Sequence, residues 1–234
     1  MDIGLKIDQQ KSTPERIAEA IRGVILRGEL APGAALREAD IAGEVGASRN
    51  TVREAMRLLA REGLVTHSAF KGVTVAELTE ADVADIFRAR LTLELAGVDA
   101  AVRATPEQVA VLEAAAAGFE DAVGRQDWQA AFEHDIELHA GIVQTIGSTR
   151  LDTTIVAILR ELRLAYGMFR GLETEAQPID REEHHEIVAL IAAGERAAGR
   201  KLIKAHLERS EALLVDLMRA SADQGDRADR GAAA

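Results

Sequence analysis

The chain has 234 residues, a formal net charge of −11 at pH 7, no cysteine and only 3% aromatic residues. Its length suits one large domain or two small ones with a buried core. The lack of cysteine excludes disulfide scaffolds, thiol nucleophiles and metal sites built on cysteine. No uncharged apolar run is long enough to span a membrane, and the first residues lack a signal-peptide core, so we expect a cytoplasmic protein without a membrane partner.

The net negative charge is confined to one part of the chain. Residues 1–78 carry eleven basic and eleven acidic residues, so the whole net charge of −11 belongs to residues 79–234. Turn residues and short β-branched segments are frequent before Leu78, whereas Ala-, Leu- and Glu-rich sequence follows it and favours helix. We therefore place a domain boundary near Leu78. The net negative charge of the whole chain would argue against nucleic-acid binding. Residues 1–78 have no net charge, so that argument does not apply to them.

The first part, residues 1–78, is predicted to form a winged helix-turn-helix. Gly46 permits a tight turn between the second and third helices, and Ser48 is a favourable N-cap for the third. Two short β-branched segments after the third helix are typical of a hairpin, the wing. The predicted elements are helices over 13–27, 37–45 and 48–62 and strands over 64–66 and 72–75.

Arginines recur every four residues along the third helix and line one outer face. A short helix, a glycine-containing turn and a second helix with basic residues at its start form the geometry that enters the DNA major groove. The alternative is a solvated arginine face without further role, because charge patterns produce false positives. The turn at Gly46, the cap at Ser48 and the wing favour DNA binding. The arginines are Arg49, Arg53, Arg57 and Arg61.

Over residues 12–75 the sequence resembles the DNA-binding domain of the GntR family of transcriptional regulators. The resemblance rests on GELAPGAALRE from Gly28, GASRNTVREAM from Gly46 and EGLV from Glu62. It implies operator contacts from three arginines, from polar residues at the start of the recognition helix and from the wing tip. The implied DNA-binding residues are Arg37, Arg49 and Arg53, then Ser48, Asn50 and Thr51, and finally Lys71 and Gly72.

From Thr79 to about Ala220 the sequence predicts an all-α antiparallel helical bundle. Glycine and proline residues separate six amphipathic segments with short connections, which is typical of bundles that hold ligands or metals in their core. Residues 221–234 are small and charged and are expected to be a disordered tail. The predicted helices cover 79–104, 106–124, 127–146, 149–170, 178–193 and 195–220.

Three histidines and one aspartate of the bundle form a candidate metal site. Asp135 and His139 lie four residues apart, so both side chains leave one helix face, and His139 shares that face with apolar residues. His184 and His206 lie on, or at the edge of, apolar faces of later helices. A single inward histidine is more often a hydrogen-bonded core residue. Three of them with a carboxylate suit Zn²⁺, and also Ni²⁺, Mn²⁺ or Fe²⁺.

The bundle resembles the ligand-binding domain of FadR-type members of the same family, called FCD, in a six-helix, VanR-like form. That resemblance implies a divalent metal ion held by one aspartate and three histidines, here Asp135, His139, His184 and His206. The matching positions are Arg90-xxx-Glu94, Asp135-xxx-His139, His184-xx-Ile187 and Ala205-His206-Leu207.

An ion with open coordination positions could accept an oxygen of a carboxylate effector, and Arg90 or Arg163 could then pair with the second polar group of that effector. A salt bridge to Glu94 is the competing interpretation of Arg90. We expect a homodimeric, metabolite-responsive transcription factor, acting as a repressor, that binds a near-palindromic operator in double-stranded DNA.

Two other functions remain open at this point. One is a metal-dependent hydrolase or lyase, although the sequence has no HExxH motif and no evident general base beside the ligands. The other is a regulator whose metal ion only clamps helices together.

Overall fold

The computed structural model describes residues 12–68, 72–167 and 177–232, and their side chains except at 163–167, 177–181 and 221–232. Within these ranges the fold is mainly α with a small two-stranded sheet, which confirms the predicted class. The elements are α1 Thr13–Leu26, α2 Glu38–Val45, α3 Arg49–Arg61, β1 Val65–Ser68, β2 Gly72–Val75, α4 Glu80–Ala100, a 3₁₀ turn Ala101–Arg103, α5 Pro106–Gly124, α6 Trp128–Gln144, α7 Thr149–Gly167, α8 Gln177–Ala192 and α9 Arg196–Ala232.

The chain divides into two compact units. The first, called the head here, comprises the described residues from Ser12 to Leu78 and the end of α7 from Arg160. The second, called the bundle, begins at Thr79 and comprises the remaining described residues. No helix in the described ranges is long and apolar enough to cross a membrane.

The helices of the head begin and end where the sequence supplies caps. The Oγ of Ser48 accepts a hydrogen bond from the backbone N–H of Thr51 (3.1 Å), which satisfies a free donor of the first turn of α3. Gly46 ends α2 with φ 65°, a left-handed conformation that glycine adopts without a Cβ clash. The short α2–α3 connection therefore fixes the helix-turn-helix.

The wing and the three helices enclose one apolar core. β1 and β2 pair antiparallel in the register Val65↔Val75 to Ser68↔Gly72, and Ala35 adds an isolated bridge to Thr74. This arrangement attaches the hairpin to the segment before α2. The largest fully buried side chains of this core are Ile17, Ile21, Met56 and Leu59.

The six predicted helices of the bundle correspond to α4–α9. The first and the last of them end at other residues than predicted. The first was expected to run to 104, but α4 ends at Ala100 and continues as a single 3₁₀ turn. The segment from Ser221, expected to be disordered, is the end of α9, which continues to Ala232. No proline interrupts α9, and the helix continues through Gly225 and Gly231 although glycine disfavours a helix interior.

α4 and α6 approach each other closely at Gly97. A Cβ at this position would lie 2.4 Å from the backbone carbonyl oxygen of Ile142, so only glycine fits. The Oγ1 of Thr145 donates to the carbonyl oxygen of Gly97 (2.7 Å) and joins the same two helices. This close crossing brings the preceding turn of α4, with Glu94, against the turn of α6 that carries His139.

Candidate metal centre and nucleic-acid interface

Four side chains from three helices converge in the bundle. Asp135 and His139 come from α6, His184 from α8 and His206 from α9. One potential ligand atom of each lies within 4.8 Å of those of the other three. The Nε2 atoms of His139 and His184 are 3.4 and 3.3 Å from Oδ1 of Asp135, and the three imidazole centroids are 5.0–5.6 Å apart. The residues predicted as metal ligands thus form one cluster.

The three histidines of the cluster are buried, and three of their ring nitrogens lack a hydrogen-bond partner among the described residues. His139 and His184 are fully buried. Nε2 of His139 and both ring nitrogens of His184 have no hydrogen-bond partner among the described residues. Buried polar atoms are rarely left unsatisfied in native proteins. A set of three imidazoles and one carboxylate without sulfur fits a divalent first-row metal ion.

Glu94 connects the cluster to Arg90, and the sequence had not linked this carboxylate to the metal ligands. The Nδ1 of His139 is 2.6 Å from Oε2 of Glu94, while Nε of Arg90 donates to Oε1 (2.9 Å). All three side chains are buried. The Arg90–Glu94 salt bridge considered from the sequence is therefore present, but Nη2 of Arg90 remains buried without a hydrogen-bond partner.

A second chain of the same type holds His206. Its Nδ1 is 3.0 Å from Oε2 of Glu183, and the guanidinium of Arg209 donates to Oε1 of the same carboxylate. Glu183 was not identified from the sequence either. The only available signal was its position directly before a candidate ligand, since its partners lie more than twenty residues further along the chain on α9.

The charges around the cluster favour a cation at its centre. Burial alone would raise the pKa of Glu94 and Asp135, but the charges and hydrogen bonds of their partners together outweigh burial and lower both. These partners are His139 and Arg90 for Glu94, and His139 and His184 for Asp135. Burial likewise disfavours protonated His139, yet Glu94 and Asp135 raise its pKa to about 9. Burial lowers the pKa of His206 to about 4 despite its hydrogen bond to Glu183. The proton on His139 thus supplies a positive charge between the buried carboxylate of Glu94 and the partly exposed carboxylate of Asp135.

The other predicted effector contact lies outside the described side chains. Arg163 is within α7, but its side chain is not among those described. His185, next to His184, is exposed and pairs with Glu120 (3.0 Å). It takes no part in the cluster.

Basic and polar side chains surround the start of α3 in the head. Arg37, Arg49 and Arg53 are exposed, and neither Arg37 nor Arg49 has an ion-pair partner among the described residues. Arg53 makes a bidentate contact with Glu38, in which its Nε and Nη2 donate to the two carboxylate oxygens (3.0 and 2.8 Å). The hydrogen bond from Arg53, helped by the nearby charges of His67 and Arg49, lowers the pKa of Glu38.

Four of the five remaining predicted DNA-binding residues are among the described residues. Gly72 begins β2 with φ 73° and an open space where a Cβ would be. Lys71 lies outside the described residues. Ser48 and Asn50 are exposed and Thr51 is half-buried at the first turn of α3.

Comparison with known proteins gives consistent matches for both units. Residues 13–75 match the family of bacterial regulatory proteins named gntR, and residues 85–209 match the FCD domain. An uncharacterized HTH-type transcriptional regulator in an unstable DNA locus of Streptomyces ambofaciens is 33% identical over 194 residues, which cover 80% of this chain and 78% of that protein.

Two further similarities concern a repressor and a solved structure. The gluconate operon transcriptional repressor of Bacillus subtilis is 40% identical over 83 residues, 36% of this chain and 34% of the repressor. A crystal structure from Rhodococcus sp. RHA1, assigned as a GntR transcriptional regulator, has a TM-score of 0.76 and 30% identity and covers 88% of this chain and 99% of that one.

Proposed function

This chain belongs to the gntR family of DNA-binding transcriptional regulators and carries an FCD domain, and from that premise we propose a metabolite-responsive repressor. It acts in the cytoplasm, binds a near-palindromic operator as a homodimer and senses a small organic acid at a metal-containing site in the bundle. Members of this family are regulators rather than enzymes, which removes the hydrolase or lyase alternative.

The start of α3 is the proposed DNA-reading surface. Arg37, Arg49 and Arg53 are exposed there and would contact bases and phosphates, since an arginine can donate two hydrogen bonds to one guanine edge. Two copies of the head in a homodimer match two half-sites of an operator. The polar first turn of α3 and the wing would set the position on the phosphate backbone. The supporting contacts are assigned to Ser48, Asn50, Thr51, Lys71 and Gly72.

The proposed metal ligands are Asp135, His139, His184 and His206. Zn²⁺ suits this set best, and Ni²⁺, Mn²⁺ or Fe²⁺ are alternatives of the same ligand preference. When bound, the ion would supply positive charge and a coordination position for a carboxylate oxygen.

The observation that carries effector binding is Nη2 of Arg90, buried without a hydrogen-bond partner beside the ligand set. A buried guanidinium N–H group without an acceptor destabilises the protein, and an anionic oxygen is a strong acceptor for it. Arg163 is the second proposed contact, from the sequence alone. Repression is supported by the similarity to the gluconate operon repressor.

We propose that the dimer has two arrangements, one of which binds the operator more tightly. The effector regulates operator binding if it binds one of these arrangements more tightly than the other.

The test compares metal-free and Zn²⁺-loaded protein, using an operator selected from random DNA and a panel of carboxylic acids. Operator affinity is measured by fluorescence anisotropy. Both forms should bind the operator, and one acid should change the affinity of the loaded form by about 5- to 150-fold.

A matched pair of neighbouring histidines gives the control. His184→Ala should abolish the response to the acid, whereas His185→Ala, at the exposed neighbour, should retain it. An acid that binds, as shown by thermal shift, but leaves operator affinity unchanged would instead indicate that the ion only clamps helices.

A further inference from the structure

Two three-residue chains of identical chemistry flank the metal cluster. In the first, Arg90 donates to Glu94, whose other oxygen lies 2.6 Å from Nδ1 of His139. In the second, Arg209 donates to Glu183, whose other oxygen lies 3.0 Å from Nδ1 of His206. Each carboxylate comes from a different helix than its histidine, so the chains also join α4 to α6 and α8 to α9.

The arrangement determines which ring nitrogen of each histidine carries the proton. An ionised carboxylate only accepts hydrogen bonds, and each of these carboxylates also accepts one from its arginine. The proton in each contact therefore belongs to Nδ1, which donates to the carboxylate. Nε2 is then the ring nitrogen left to face the ligand set, where a metal ion would bind in exchange for its proton; in His139 it is buried without a hydrogen-bond partner among the described residues and lies 3.4 Å from Oδ1 of Asp135.

The third histidine lacks such support. Neither ring nitrogen of His184 has a hydrogen-bond partner among the described residues, and its ring instead packs edge-on against Phe119, with centroids 4.6 Å apart. Apart from the other two imidazoles, the His184 ring thus has two described contacts, this packing against Phe119 and the 3.3 Å approach of its Nε2 to Oδ1 of Asp135. In the described part of the chain, no glutamate lies behind it as Glu94 lies behind His139 and Glu183 behind His206.

We propose that Glu94 and Glu183 are positioning residues that hold His139 and His206 in the tautomer and orientation that bind the metal ion; the inference rests on the proposed metal site. Carboxylates behind a metal-ligating histidine raise its basicity and fix its ring. The bundle therefore contributes to metal affinity through side chains that never touch the ion.

Glu183 allows the sharper test because it lies at the edge of the site, with 15% of its side chain exposed. Glu183→Ala removes the acceptor of His206 and should lower Zn²⁺ affinity by about 10- to 100-fold, measured by competition with a chromogenic chelator. Glu183→Gln keeps a neutral acceptor and should recover part of that loss. The d–d absorption of the Co²⁺-loaded protein should change in the alanine variant.

Two controls separate positioning from simple helix attachment. Arg209→Ala removes the ion pair between α8 and α9 but leaves the carboxylate on His206, so it should bind Zn²⁺ nearly as wild type does. Glu120→Ala removes the partner of the exposed His185 and should change nothing. Glu94→Gln repeats the test at His139, with circular dichroism to verify the fold, because it leaves Arg90 buried without its counter-ion.

The outcomes distinguish this inference from the function on which it rests. If wild-type protein binds no divalent ion, both the proposed metal site and the positioning role are wrong. If wild-type protein binds Zn²⁺ and Glu183→Ala stays within about twofold of it, only the positioning role is wrong. A loss in Arg209→Ala equal to that in Glu183→Ala would also overturn the positioning role, in favour of helix attachment.

Discussion

The head and the bundle place their charged side chains in opposite environments. Arg49 and Arg53 of the head are exposed, and the Arg53–Glu38 pair lies at the surface. Arg90 and Glu94 of the bundle form the same kind of pair with 2% and 0% of their side chains exposed. Exposed pairs contribute little to folding, whereas a buried charge depends on its partner. Substitutions of these exposed charged residues in the head should therefore change DNA binding with little effect on stability. Substitutions of the buried charged residues in the bundle should first lower the free energy of unfolding.

The largest effect is expected from Glu94→Ala. It leaves Arg90 buried without a counter-ion and removes the acceptor of His139, so the free energy of unfolding should fall by about 3–5 kcal/mol in urea denaturation. The head control, Glu38→Ala, breaks an arginine–glutamate pair that lies at the surface and should leave stability within error. Equal losses in the two variants would contradict the comparison between the units.

The second effect concerns the close crossing of α4 and α6. Gly97→Ala places a Cβ 2.4 Å from a backbone oxygen that cannot move aside, so the bundle should lose about 1–3 kcal/mol of stability. The matched change in the head is Gly43→Ala in α2, where a Cβ meets nothing within 4 Å. That variant should gain about 0.5–1 kcal/mol, because alanine suits a helix better than glycine. A stable Gly97→Ala protein would show that α4 and α6 can separate.

The smallest effect on folding, with a clear effect on function, is expected from Arg49→Ala. Its side chain is exposed at the first turn of α3, so the unfolding midpoint should not change. Operator affinity should fall by about tenfold or more through loss of a base contact, measured by fluorescence anisotropy at fixed salt. Arg61→Ala, in the last turn of the same helix, is the control and should retain most of the affinity. Equal losses would favour a solvated arginine face with non-specific attraction.

Most of the head could be predicted because its signals are local. The cap at Ser48, the turn at Gly46 and the β-branched segments of the wing act within a few residues of their own positions. The predicted helices and strands accordingly agree with the described ones to within about two residues. The neutral charge of residues 1–78 also pointed to the correct unit for DNA binding, which the net charge of the whole chain had hidden.

The bundle could be predicted only in part. Helical periodicity placed His139 and His184 on inward faces, and both are fully buried in the ligand cluster. The hydrogen bonds from the ligand histidines to Glu94 and Glu183 were not predicted, because Glu94 and His139 are 45 residues apart and Glu183 and His206 are 23 residues apart. No periodicity relates such distant positions.

The sequence by itself determined the helices, the wing, the exposed arginines and the ligand types available in a chain without cysteine. Local hydrogen bonding and the alternation of apolar residues act over one or two turns and are readable from neighbours. Only the tertiary structure decided that Glu94, besides pairing with Arg90 on its own helix, reaches His139 on α6 and that Glu183 on α8 reaches His206 on α9. Such contacts depend on how separate helices cross, and the absence of a side chain at Gly97 sets the crossing of α4 and α6.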